Sequence, residues 1–317
     1  MSVEIMEDDA NNSTFVSTLE AAGSCPQCNY VMPRLVDCAP EYFRGGFVSC
    51  LHCGERVDLW KAVLNLAVRT SIAPHWALAG LGAGRTNIVI PVESWKYHEV
   101  DLCKYDVPAD AKVLTRNYTG QTGDVTAVEW HGNSPKLRFP GTILRLMGIP
   151  LGEGPSPRTG RVAISVVWIR GRDSDAWPYI TTAFEAAAAR DYAPSLVFAQ
   201  SAVEISMMPI IKRRLGLRAP EDRVENFMRD SLTYSHALNV VLPYMAAEAG
   251  APKMPDEVRR ALNKMRKKRN NIIHEGVEAA AVTAGVAIEG LCAAAFGFEY
   301  MREVEPILLP SKPRSEA

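Results

Sequence analysis

The side chains best equipped for chemistry cluster near the end of the 317-residue chain, in the stretch RKKRNNIIHEG at 266–276. His274 carries an imidazole whose unperturbed pKa of about 6.5 suits proton transfer at neutral pH. Arg269 carries a planar fork of donors that matches two oxygens of an oxyanion better than a lysine does. Asn270 lies four residues before His274, on the same helical face, and can hydrogen-bond a ligand or orient the imidazole. Five residues of α-helix turn a side chain by about 140°, so Arg269 and His274 do not project in parallel and the long arginine has to reach round. Arg269 also interrupts an apolar series, Val258, Leu262, Met265, Ile272 and Ile273, where a leucine is expected. A buried arginine requires a partner: a carboxylate, a second subunit or an anionic ligand. The plainer alternative lets His274 complement the helix dipole while Arg269 caps carbonyls or pairs with Glu204.

A second chemistry resides in four cysteines. Cys25 and Cys28 stand in CPQC, and Cys50 and Cys53 in CLHCG, with 21 residues between the pairs. Each pair can form a knuckle that offers two thiolates, and two knuckles complete the tetrahedral shell that zinc prefers. Gly54 suits the turn that follows a knuckle. A single pair also fits a redox-active dithiol, but two pairs at ribbon spacing point to metal. Four thiolates leave no open position, so the expected zinc is structural, and no metal is expected in catalysis. Cys38 and His52 are spare candidates, His52 being read as a surface residue. The N-terminal MSVEIMEDDANNSTF lacks the basic flank and apolar core of an export signal, so a cytoplasmic, reducing compartment is expected, where close cysteine pairs favour metal over disulfide.

The elements that must position these groups fall into consecutive blocks of a multidomain α+β chain. Residues 1–20 read as a disordered tail, 21–70 as a zinc ribbon closed by a helix, 71–86 as a linker, and 87–172 as a β-rich domain. Residues 173–304 read as an all-α, up-and-down helical bundle, and 305–317 as a second tail. In the ribbon block, Asp58 can cap a helix with apolar residues at Leu59, Val63, Leu64, Leu66 and Ala67. GLGAGRT (80–86) lacks the Gly-Lys-Ser/Thr ending of a phosphate loop and reads as a flexible connector. Runs such as NIVIPV, AKVLTRNYTG, DVTAVEW and RVAISVVWIR, punctuated by Gly, Pro, Asn and Asp, mark the β-rich block. Within it, Glu129, Trp130 and His131 fit a polar turn and receive no chemistry. In the bundle, Ser174 or Asp175 caps a first helix, and a second starts at Pro194 and ends at Gly216, with a bend at Pro209. A third helix bends or breaks near Pro243, a fourth starts at Asp256 and stops before Gly276, and an alanine-rich helix covers about 277–302.

Composition narrows the classes. Hydrophobic residues at 47% and charged residues at 22% are those of a globular chain. The formal net charge of −1 means that a nucleic acid must be held by a local patch. Such a patch exists: seven of the eleven positions from Arg259 to Arg269 are basic, with Arg266, Lys267 and Lys268 consecutive. Lys212, Arg213, Arg214 and Arg218 form a second cluster, and either cluster also fits a solvated helix face. The most membrane-like segment, VEAAAVTAGVAIEGLCAAAFGF, is interrupted by Glu278 and Glu289 and reads as a buried helix, so no membrane partner is expected.

The sequence Arg269-Asn270-Asn271-Ile272-Ile273-His274, placed after a basic helix and before an alanine-rich one, resembles the Arg-Asn-x-x-x-His signature of the HEPN superfamily, the "higher eukaryotes and prokaryotes nucleotide-binding" domains. The resemblance covers about residues 176–303, and FAQSAVEISM resembles the first long helix of such domains, in which a glutamate, here Glu204, recurs. It implies a metal-independent ribonuclease of a toxin or antiviral-defence system. The site would be composite, formed where two motifs meet across a homodimer, with Arg269, Asn270 and His274 catalytic and Glu204 supporting. In such chemistry a base takes the 2′-hydroxyl proton, the oxygen attacks the adjacent phosphate, and a cyclic phosphate and a free 5′-hydroxyl result. Arg266, Lys267 and Lys268 would hold the RNA backbone. Two other functions remain open: a non-catalytic dimerisation module that binds RNA or a nucleotide, and a ligand sensor or adaptor acting through the β-rich domain, with a regulatory ligand or partner protein.

Overall fold

The computed structural model describes residues 23–69, 73–129, 142–154, 157–170, 175–275 and 282–309. The expected N-terminal tail, most of the C-terminal tail, Trp130, His131, Ser174 and the helix stop at Gly276 lie outside them.

The cysteine-bearing segment is a ribbon built around two helices. Strand β1 (Val48–Ser49) pairs antiparallel with β2 (Arg56–Val57), and helices α1 (Leu35–Gly45) and α2 (Leu59–Arg69) flank this hairpin. Helix α1 occupies what the sequence presents as a plain loop between the cysteine pairs. It buries Leu35, Ala39, Tyr42 and Phe43 and ends where Gly46, at φ 74°, takes the left-handed conformation that glycine accepts without strain. The expected linker is also structured. Pro74 opens helix α3 (Pro74–Gly80), a tight turn follows, and strand β3 starts at Gly84.

Strands β3 (Gly84–Glu93), β4 (Tyr97–Asp101), β5 (Ala111–Gly123), β6 (Val125–Glu129), β7 (Ile143–Pro150) and β8 (Thr159–Arg170) form two antiparallel sheets, ordered β3-β8-β5 and β4-β7-β6. Their inner faces enclose a core of Ile88, Ile90, Val162, Ile164, Val100, Leu144 and Leu146. Strand β8 explains the nearly continuous apolar run RVAISVVWIR. Alternate residues Val162, Ile164 and Val166 face the other sheet, whereas Val167 and Ile169 face the helical side and join its core.

The helical part comprises α4 (Trp177–Ala188), α5 (Tyr192–Gly216), α6 (Glu221–Asn226), α7 (Tyr234–His236), α8 (Leu242–Ala249), α9 (Asp256–Glu275) and α10 (Ala284–Leu308). Helix α5 runs unbroken past Pro209. The expected break near Pro243 is instead at Leu232–Thr233, where Thr233 accepts from the His236 N–H and caps α7. Pro243 lies inside a helical run that continues without a break from Tyr234 to Ala249, directly after the π-helical turn Ala237–Val241, and a second π-helical turn covers Phe227–Ser231. Ala176, and not Asp175, occupies the N-cap of α4. Helix α10 starts later and ends later than its alanine content suggests, with Thr283 accepting from the Val286 N–H at its start.

Helices α5 and α10 are long and apolar enough to cross a membrane, yet 56% and 72% of their most apolar windows are buried inside the protein, as in core helices. Small residues make this possible for α10: a Cβ at Gly290 would overlap Leu196, and one at Gly297 would already be 3.4 Å from Leu262 and Val203. A single apolar cluster runs from Cys25, Leu35 and Tyr42 through α4 and α5 to Phe296 and Leu308, so ribbon and bundle share one core. Ring contacts join them: Tyr42 to Phe296 at 5.6 Å, Trp60 to Phe296 at 5.4 Å and Phe43 to Tyr300 at 5.3 Å.

One carboxylate lies inside this core. Glu299 on α10 is 4% exposed, and Arg302 donates to it at 3.1 Å. Burial pushes its pKa up to about 7, with Arg302 opposing. A carboxyl raised above its unfolded value contributes stability at acid pH that is lost as pH rises through the folded value. The chain should therefore lose up to about 3 kcal/mol from this group between pH 4.5 and 7. Chemical denaturation across that range should show the decline in wild type and not in Glu299→Gln; parallel curves would contradict it.

Candidate functional site

The four cysteines converge. Their sulfur atoms all lie within 4.8 Å of one another, with Cys25 to Cys53 and Cys28 to Cys50 each at 3.7 Å. The two knuckles are wired alike. Asn29 N–H donates to the Cys25 carbonyl and Gly54 N–H to that of Cys50, each at 2.9 Å. Both donors are left-handed, at φ 57° and 76°. Gly54 signals this turn in the sequence, whereas Asn29 performs it with one of the few side chains that tolerate the conformation. Backbone N–H groups of Cys53 and His52 bond the Cys50 sulfur and pull its thiol down, while Cys28 and Cys53 in the same cluster are pushed up. The spare candidates fall outside the set. His52 stacks on Tyr30 at 5.6 Å, and Cys38 is buried in α1, where desolvation pushes its thiol up to about 12. The donor set fits a thiophilic metal ion held for structure.

Helix α9 starts at Asp256, as its sequence marks, and its cations separate onto two sides. Arg260, Asn263, Lys264, Lys267, Lys268 and Asn271 line a concavity of about 400 Å³ on the outer side. Arg266, expected to act with Lys267 and Lys268, turns inward. It is half-buried, and its Nε is shielded from solvent with no acceptor among the described residues. Burial and then the Glu204 carboxylate push the Tyr234 phenol up, while the Arg266 guanidinium pulls it down, so all three groups lie within electrostatic reach inside the bundle. Glu204, on α5, thus acts on Tyr234 electrostatically, and among the described residues it makes no ion pair with Arg269.

Arg269 is half-buried. Its Nη1 donates to the Asn270 Oδ1 at 3.2 Å, its Nε has no acceptor, and no carboxylate among the described residues forms an ion pair with it. His274 occupies the last turn of α9, four residues beyond Asn270, but its side chain lies outside the described set. Of the apolar series around Arg269, Ile272 packs on the core while Ile273 is 47% exposed. The end of α9 therefore combines a guanidinium without a carboxylate partner among the described residues, an amide bonded to it and the backbone position of an imidazole, next to a basic ridge. Such a set can bind an oxyanion and, with the imidazole, move a proton.

Sequence reasoning missed a polar clamp that holds this helix. Asn239 and Asn263 exchange side-chain amide hydrogen bonds at 3.0 and 2.8 Å, and Arg259 donates to Asn239 at 3.2 Å. No local pattern pairs two asparagines that are 24 residues apart, although a polar residue on a half-buried helix face is a usable hint.

Tyr234 is 8% exposed, and its hydroxyl has no partner among the described residues. Tyr234→Phe should accordingly leave stability within about 0.5 kcal/mol of wild type, or raise it. A loss above about 1 kcal/mol in chemical denaturation would reveal a bonded partner at that oxygen. A scan against protein-family models finds no match, and searches of curated proteins and of solved structures find no significant one.

Proposed function

We propose that the chain is a metal-independent endoribonuclease of the HEPN type, acting as a toxin or antiviral-defence effector, with a structural zinc ion on Cys25, Cys28, Cys50 and Cys53. The observation that carries the nuclease reading is Arg269: a half-buried cation beside Asn270, lacking a carboxylate among the described residues, near the helix end that bears His274. An unpaired buried charge is costly, and a phosphodiester supplies its counterpart. The zinc reading rests on spacing. Zn–S bonds of about 2.3 Å place tetrahedral sulfurs about 3.8 Å apart, close to the 3.7 Å separations here.

In this mechanism His274 removes the proton of an RNA 2′-hydroxyl, and the oxygen attacks the adjacent phosphorus. Arg269 binds two oxygens of the phosphorane, whose negative charge exceeds that of the ground state, and Asn270 holds the guanidinium in place. The histidine of a second copy protonates the departing 5′-oxygen, leaving a 2′,3′-cyclic phosphate and a 5′-hydroxyl. Arg260, Lys267 and Lys268 attract the backbone without regard to base sequence. The basic concavity also favours a second reading, an RNA- or nucleotide-binding module without turnover, because binding there needs no imidazole.

Arg269→Ala combined with His274→Ala should reduce RNA cleavage in magnesium-free buffer by at least about 10²-fold. Undiminished cleavage by a folded, dimeric double variant contradicts the assignment; binding without cleavage by wild type supports the module. Replacing Lys267 and Lys268 by alanine should flatten the plot of log affinity against log salt by about 1.4 for single-stranded RNA. An unchanged slope would place the RNA elsewhere.

A further inference from the structure

Two consecutive residues of α1 leave the ribbon for the start of α9. Tyr42 is fully buried, and its hydroxyl donates at 2.5 Å to Glu257 Oε1, in the first turn of α9. Phe43 meets Tyr300 edge-on at 5.3 Å, and the Tyr300 hydroxyl donates at 2.8 Å to the Pro252 carbonyl, in the segment that leads into α9. Helix α2 arrives at the same place. The Asp58 carboxylate and, to a smaller extent, Glu257 hold the Lys61 ammonium above its ordinary range, and Trp60 packs on Phe296.

The backbone pairing of the knuckle segments is slight and lies within each of them. The β1–β2 hairpin has two residue pairs, and the first knuckle has one isolated bridge between Ser24 and Val31. Both α1 and α2 pack on α10 through Tyr42, Phe43 and Trp60, and the sulfur cluster adds the one direct tie between the knuckles, because α1 lies between the cysteine pairs and α2 directly follows the second. Four sulfurs at these separations can all be thiolates only when a cation joins them, and without one nothing but weak thiol contacts holds the two knuckles together.

We infer that the four-cysteine cluster is a metal-dependent brace for α9: an ion bound there holds α1 and α2 in place, and the Tyr42–Glu257 contact passes that order to the helix that carries Arg269. The chain then registers the supply of a thiophilic divalent cation. This rests on the metal reading of the cluster and adds regulation to the proposed site. Because coupling is reciprocal, breaking the Tyr42–Glu257 bond weakens metal binding by the factor by which metal orders α9.

The test uses the full chain. Native mass spectrometry counts bound metal, and hydrogen exchange is followed before and after a chelator removes it. Removal should speed exchange at least tenfold in α1, in α2 and over residues 257–264, while β3 and β8 keep their protection. Metal-loaded Tyr42→Phe, and Glu257→Gln on the less buried side of the bond, should show the faster exchange over 257–264 alone and bind zinc about tenfold more weakly. If α1 and α2 open while 257–264 stay protected, or if β3 and β8 open equally, the brace is overturned even though the metal reading stands. A native chain without metal overturns both, and none of these measurements depends on RNA cleavage.

Discussion

The structure depends on burying α10 from every side. Ala287, Ala293, Ala294, Ala295, Phe296 and Phe298 are all at 0 or 1% exposure, so this helix has no polar face along its middle and is stable only when neighbours cover it. Helices α4, α5 and α9 supply part of the cover, α1 and α2 of the ribbon supply the rest, and Gly290 and Gly297 let α5 and α9 approach closely. The ribbon is consequently part of the wall around α10. The sandwich contributes at one edge through Val167 and Ile169, the outward residues of β8.

This arrangement gives α9 its mixed character. Its inner side packs Val258, Leu262 and Met265 against α5 and α10, which leaves the cations on that side, Arg266 and Arg269, half-buried at the rim. Arg266 and Glu204 both act electrostatically on Tyr234, whereas Arg269 has Asn270 as its side-chain partner among the described residues. The outer side carries Arg260, Lys264, Lys267 and Lys268, of which Lys264 pairs with Glu289 on α10. A helix fixed at its start by Tyr42 and along its length by the Asn239–Asn263 clamp presents these two sets in fixed relation.

What the sequence conveyed depended on how local each signal is. The cysteine cluster was legible because the two knuckles are short-range motifs, and the β-rich region because alternation and turn residues repeat within it. Helix α9 was legible from its 3.6-residue period. Helix α1 was not, since Pro40 and a cysteine-rich setting hide an amphipathic turn pattern of only 11 residues. The inward turn of Arg266 was hidden among three consecutive cations that composition treats alike, and the exposure of Ile273 reflects how the end of α9 leaves the core. Contacts such as Tyr42 with Glu257, 215 residues apart, have no sequence signature. At Arg269 and His274 the six-residue motif made the grouping legible, because it is local, while what the groups bind has no local signal.

The most direct measurement is of product chemistry. Wild-type chain is incubated in magnesium-free buffer with an RNA oligonucleotide and with its counterpart lacking the 2′-hydroxyl at the cut position. Attack by that hydroxyl predicts 2′,3′-cyclic phosphate and 5′-hydroxyl ends from the first, and an intact second. Cleavage of both, or ends bearing a 5′-phosphate, would contradict a site built on Arg269 and His274.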